Sequence, residues 1–135
     1  MSERNVELHR RCIEAFNMRD VDAFIAYCDP GIQAHSAFDY EGHDGVRRWN
    51  RGFREAWGDE IRLGVEAYFD LGERTLGFHT LHGRGKHSGV EVAMPSASVT
   101  TWHDGQCVAL KAYAHRDDAL SDLGVTQDEL EPIAP

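Results

Sequence analysis

The order of periodicities along this chain predicts an α+β fold, with helices laid across one face of a strongly curved, mostly antiparallel sheet. Three observations carry the prediction. Up to Trp57, apolar residues recur mostly at helical spacing. After Gly58 they alternate at the two-residue period of strands. Between Val90 and Ala114, two β-rich runs flank His103-Asp104-Gly105. Asp-Gly is a strong hairpin signal because glycine adopts positive φ without a Cβ clash.

The first helix is expected from Asn5 to Met18, where Val6, Ile13 and Phe16, with His9 among them, form a broad buried face. Asp20 is placed to cap a short second helix, VDAFIAYC, and Asp29-Pro30-Gly31 to stop it. Ile32 to Phe38 alternates as a strand, with Ile32, Ala34, Ser36 and Phe38 on one face and Gln33, His35 and Ala37 on the other. A loop, DYEGH, leads to Asp44 as the cap of a third helix ending near Trp57, with Val46, Trp49, Phe53 and Trp57 as an aromatic stripe.

Two strands follow. The first places Leu63, Val65, Ala67 and Phe69 together; the second places Leu76, Phe78, Thr80 and His82 opposite Thr75, Gly77, His79 and Leu81. GRGKHSG connects them to the hairpin, whose inner face is expected to be Ser96, Ser98, Thr100 and Trp102 across from Val108, Leu110 and Ala112. RDDALSDLG reads as a closing helix and QDELEPIAP as a frayed acidic tail. A pocket then lies between the sheet and the aromatic stripe.

At 135 residues with 41% hydrophobic content, the chain fits one domain, residues 1–135, with a core over about 5–124 and a tail over 125–135. Fourteen basic against 23 acidic residues give a net charge of −9, which argues against nucleic acid and anionic membranes as partners. No apolar run approaches the roughly 20 residues that span a bilayer. The start is polar, and Cys12, Cys28 and Cys107 form no C-x-x-C pair. A cytoplasmic protein with free thiols and no bound metal or other cofactor is expected.

The segments AFNMRDVDAFIAYCDP, YEGHDGVRRW, GRGKHSGVEV and WHDGQCVALKAY, in this order, resemble the nuclear-transport-factor-2-like superfamily and within it SnoaL-like domains, the group of polyketide cyclases and ketosteroid isomerases. The resemblance spans roughly residues 5–124. It implies a cone-shaped α+β barrel, with three to four helices in the concave face of a curved mixed sheet, an apolar pocket, and often a homodimer through the outer face. Residue by residue, the oxyanion-holding tyrosine of ketosteroid isomerases falls on Cys12, the partner aspartic acid on Ser98 and the base on Ser36. The last-strand aspartate of limonene-epoxide-hydrolase-like members falls on Ala112, and their middle-strand arginine and aspartate on Phe78 and Thr80. None of these positions carries the acid or base that the family reactions use.

Two imidazoles are the candidate catalytic groups, since histidine titrates near neutrality. His82 shares a strand face with Phe78 and Thr80; His35 neighbours Ser36, although alternation turns it away. The expected ligand contacts are Cys12, Ser36, Tyr40, Trp49, Phe53, Phe78, Thr80, Ser98, Leu110 and Ala112. The serines and threonine either orient a ligand oxygen or bond to backbone and water. His79, His82 and His87 do not make a metal site, because strand residues three apart face opposite ways. Two functions follow. One is an enzyme acting on a small, apolar, carbonyl-bearing molecule by isomerisation, cyclisation, dehydration or hydrolysis. The other is a non-catalytic ligand-binding or dimeric assembly domain.

Overall fold

The computed structural model describes residues 3–36, 38–58, 60–85 and 88–135. Ala37, Lys86 and His87, which enter the expectations above, lie outside them. Helix α1 (Glu3–Asn17) buries Val6, Cys12, Ile13 and Phe16 along one face, and His9 with them. Helix α2 (Val21–Ala26) is capped by the Asp20 carboxylate, which accepts the Ala23 N–H at 3.0 Å.

Strand β1 (Cys28–His35) runs through Asp29-Pro30-Gly31, where only a helix stop was expected. Its pairing register shifts between Cys28 and Gln33, so Pro30, which has no N–H to donate, is spared from a regular ladder. Asp39–Glu41, expected as loop, forms a short edge strand, β2, paired with β1. Helix α3 (Gly42–Trp57) starts two residues before Asp44. Asp44 therefore sits in the first turn, where its negative charge still suits the positive end of the helix dipole.

Strands β3 (Arg62–Leu71), β4 (Arg74–Arg84), β5 (Glu91–His103) and β6 (Gln106–Tyr113) complete a sheet of order β2-β1-β6-β5-β4-β3. The β1–β6 pair is parallel and the other neighbours are antiparallel. At the β5–β6 turn, Asp104 and Gly105 take φ of 50° and 79°. Both central residues have the positive φ that a two-residue hairpin turn requires. Helix α4 (Arg116–Leu123) and a 3-10 turn (Gln127–Glu129) close the chain.

The sheet is covered on both sides. On the concave side α1, α2 and α3 pack over β1, β5 and β6 around Phe16, Phe24, Trp49 and Trp102. On the convex side Ala119 and Leu120 of α4 pack on Phe69, Leu76, Phe78 and Val99. Part of the outer face that the resemblance assigns to a second copy is thus occupied by α4.

Two departures from simple alternation follow. A bulge between Val65 and Ala67 divides β3, so that Leu63 and Val65 face the α1 side while Ala67 and Phe69 face α4. A second bulge, between Thr101 and Trp102, sets Cys107 opposite Trp102 and removes Val108 from the inner face expected for it. The C-terminal tail is also docked, not frayed. Ile133 exchanges both backbone hydrogen bonds with Tyr68, at 2.9 and 2.7 Å. Thr126 and Glu129 form a reciprocal capping box. Among the described residues, no helix is long and apolar enough to cross a membrane.

Candidate functional site

A cavity of about 370 Å³ opens between α1, α3 and the concave face of the sheet. Its apolar wall is aromatic. Phe16, Trp49 and Phe53 stack at centroid distances of 5.7–6.1 Å. These side chains do not fill the space, and Met94, 38% exposed, stands where the cavity meets solvent. Among the described residues, no Asp, Glu, Lys or Arg lines it.

Besides Ser36 and Tyr113, the polar part of the lining is a strip of β4 and β5 side chains met by His9. The His9 Nε2 lies 3.0 Å from Ser98 Oγ, and the His79 Nε2 lies 3.1 Å from the same oxygen. His79 Nδ1 continues to Ser96 Oγ at 2.6 Å. In the other direction, His9 Nδ1 meets Thr75 Oγ1 at 2.9 Å and Thr100 Oγ1 at 3.3 Å. Those two hydroxyls contact each other, and the Trp102 indole N–H donates to them at 3.1 and 2.8 Å. Seven side chains thus form one continuous relay from Trp102 to Ser96.

The local sequence builds this relay. Thr75, Gly77 and His79 alternate onto the concave face of β4, with Ser96, Ser98 and Thr100 beside them on β5. Gly77 is the gap that admits His9. A Cβ there would lie 3.2 Å from His9 Cε1 and 3.4 Å from Ser98 Oγ. Arg116 holds the backbone beneath the strip, donating to the carbonyls of His79 at 2.8 Å and Ser96 at 3.3 Å, while pairing with Glu66 at 2.9 Å.

Burial, with His79 nearby, lowers the His9 pKa to about 3. Burial and then the Arg116 guanidinium lower that of His79 to about 4, against the smaller opposing effect of Glu66. Both imidazoles are therefore neutral at neutral pH. Three thiols also line the cavity. Burial pushes Cys28 up to about 12 and raises Cys12 and Cys107 as well, so none is a thiolate at neutral pH. The site is uncharged, largely apolar and hydrogen-bonded along one edge.

Of the residues singled out from the sequence, Cys12, Ser36, Trp49, Phe53, Ser98, Leu110 and Ala112 all line the cavity. Four of these, Cys12, Ser36, Ser98 and Ala112, are positions to which the resemblance assigned family chemistry. Phe78, Thr80 and His82 do not reach it. The face of β4 is the reverse of the one expected, because its more apolar side is buried under α4. Phe78 packs on Phe69, and Thr80 donates to Glu66 at 3.0 Å. His82 stands over Gly64 on that same side.

His35 is exposed and bonds to Asp39, as alternation indicated. Tyr40 packs at the edge of the core against α3 and is not part of the lining. The sequence reading missed His9 and His79 as the imidazoles of the site. Two signals mark them: a histidine within the apolar face of the first helix, and a glycine inside a strand, where a neighbour approaches closely.

No curated protein shows a significant match to the chain. Solved structures do. An NTF2-like protein of unknown function from Burkholderia pseudomallei superposes with a TM-score of 0.78 at 20% identity, over 90% of this chain and 97% of that one. A SnoaL-like polyketide cyclase, so described provisionally, from Jannaschia sp. CCS1 gives 0.76 at 19%, over 83% and 85%. TerC, co-crystallised with polyporic acid, gives 0.75 at 17%, over 89% and 97%. At these identities the likeness shows the fold. The family model for the SnoaL-like domain matches residues 9–110, and the chain belongs to that family.

Proposed function

We propose that this protein holds a small, uncharged, largely apolar molecule that carries an oxygen function, in the cavity between α1, α3 and the sheet. The observation that carries the reading is the lining: aromatic on one wall, free of charged side chains among the described residues, and polar mainly along the strip from His9 and Thr100 to Ser96. Burying a charged ligand there would strand its charge without a counter-ion, whereas a neutral ring system exchanges water for apolar contact. TerC, crystallised with polyporic acid, supports looking for an organic ligand in this fold.

The test uses 1-tetralone as a probe, followed by the fluorescence of Trp49 and Trp57, both of which line the cavity. Saturable quenching below millimolar concentration is expected, and Ala112→Trp, which fills the space, should abolish it without changing the circular dichroism. No saturation in the unaltered protein at millimolar probe would overturn the reading.

One observation favours a second reading, an acid–base enzyme of the isomerase, cyclase, dehydratase or hydrolase kind. His79 reaches both Ser96 and Ser98, so a proton received at one ring nitrogen can be released at the other. Its low pKa makes it a weak base, suited to assisting a substrate that is already acidic. Once a substrate is found, His79→Gln should stop turnover while leaving tetralone binding in place. Unchanged turnover would remove this reading.

A further inference from the structure

The relay has a direction, and the direction decides what the ligand must offer. At its buried end stand the Trp102 indole N–H, which can only donate, and the hydroxyls of Thr75 and Thr100. Thr75 and Thr100 are 0% and 1% exposed, so neither hydroxyl is offered bulk water. Three protons therefore need acceptors. The two hydroxyl oxygens take two of them: Trp102 gives to the pair, and one threonine gives to the other. The third, on the remaining hydroxyl, has the His9 Nδ1 lone pair, 2.9 Å from Thr75 and 3.3 Å from Thr100. If His9 instead carried its proton on Nδ1, one buried hydroxyl would be left without an acceptor.

With His9 accepting at Nδ1, its neutral ring carries the proton on Nε2 and gives it to Ser98 Oγ. Ser98 has one proton of its own, and His79 Nε2 is the ring nitrogen within its reach. Passed on that way, it leaves the His79 proton on Nδ1, which donates to Ser96 Oγ. Ser96, half-buried and in the cavity lining, is left with an O–H that nothing in the relay accepts. We infer that the relay runs outward from Trp102 to Ser96, and that Ser96 presents its hydroxyl proton to the cavity and selects a ligand with an acceptor oxygen at that end. The ligand class is a neutral, apolar ring compound bearing a carbonyl or ether oxygen, as opposed to one whose polar group can only donate. This rests on the cavity reading above for its ligand, but not for its direction.

Two measurements separate these. In protein labelled with 15N-histidine, long-range 15N–1H correlation at neutral pH should show His9 as the Nε2–H tautomer and His79 as the Nδ1–H tautomer. The reverse pair, or an imidazolium at either residue, would overturn the inference, whatever binds. Binding is then compared for 1-tetralone, which only accepts, indole, which only donates, and tetralin, which does neither. Ser96→Ala should weaken tetralone about tenfold, the loss of one good hydrogen bond, and leave indole and tetralin unchanged. Dependence of indole on Ser96, or no effect on tetralone, would overturn the role given to Ser96. If none of the three binds, the cavity reading falls, and with it the ligand selection; the tautomers then decide the direction alone.

Discussion

Strand β4 carries two chemistries on one backbone. Its convex side, Leu76 and Phe78, is apolar, and α4 covers it. Its concave side carries Thr75, Gly77 and His79, small or polar, where His9 of α1 makes hydrogen bonds, and ends on Leu81 in the cavity lining. The more hydrophobic side is the one without the cavity. A strand covered on both sides can be held by one of them and specialised on the other. Apolar packing is non-directional and tolerant of what it covers, so it suits the holding side. A cavity needs room and a few oriented polar groups, which small residues and imidazoles supply.

Substitutions on the two sides should therefore fail differently. The largest effect is expected for Phe78→Ala. Phe78 is 4% exposed, its ring lies 5.0 Å from that of Phe69, and the Arg116 guanidinium covers it. Its loss should cost about 3–5 kcal/mol in urea denaturation. Tetralone affinity per folded molecule should stay the same. A parallel fall in affinity would show that the two sides are not independent. Gly77→Ala comes next. The added methyl group would press on His9 and Ser98, at a cost of about 1–3 kcal/mol, the usual range for overpacking. Here the distinguishing readout is the 15N spectrum: His9 and Ser98 must separate, so the His9 tautomer should lose its single form. Unperturbed histidine signals would mean that Gly77 is not what admits His9.

How much of this was legible beforehand depends on where one side chain outweighs its pattern. The helices, the hairpin and its Asp104-Gly105 turn follow from local rules, and so does the concave placement of Ser96, Ser98 and Thr100. Four residues located by family resemblance, Cys12, Ser36, Ser98 and Ala112, also lie on the cavity. The face of β4 was not legible, because alternation says which residues share a side and not which side meets which layer. The family resemblance pointed to Phe78 and Thr80, His82 shares their face, and α4 lies on that side. The bulges at Val65/Ala67 and Thr101/Trp102 have no local signature either; each shifts the residues beyond it by one place. The docked tail rests on contacts distant in sequence, the bridge between Tyr68 and Ile133 and the Arg10 bond to the Ala134 carbonyl, which no local window contains.

The effect that is smallest near neutral pH is the one that belongs to the concave side alone. His9 and His79 are held at about 3 and about 4 in the fold, while an unfolded chain titrates its histidines near the ordinary value of 6.5. As the pH falls through that value the unfolded state takes up protons that the folded state refuses, so this stability is complete well above pH 6.5 and declines as the pH falls towards the folded values of about 4 and about 3. Between pH 7 and pH 6 each histidine should cost about 0.7 kcal/mol, steepening to about 1.4 kcal/mol per pH unit further down. The groups facing His79 do not reverse the sign. Arg116 adds to the depression, and Glu66 opposes it without overcoming burial. Urea denaturation across this range separates the two sides of the strand. Phe78→Ala should lower the whole stability curve by a constant amount and keep its slope. His79→Gln should remove about half of the slope, since His9 supplies the rest. A His79→Gln curve parallel to that of the unaltered protein would mean that His79 is not held neutral in the fold, and the proton accounting along the relay would have to be redrawn from Ser98 outward.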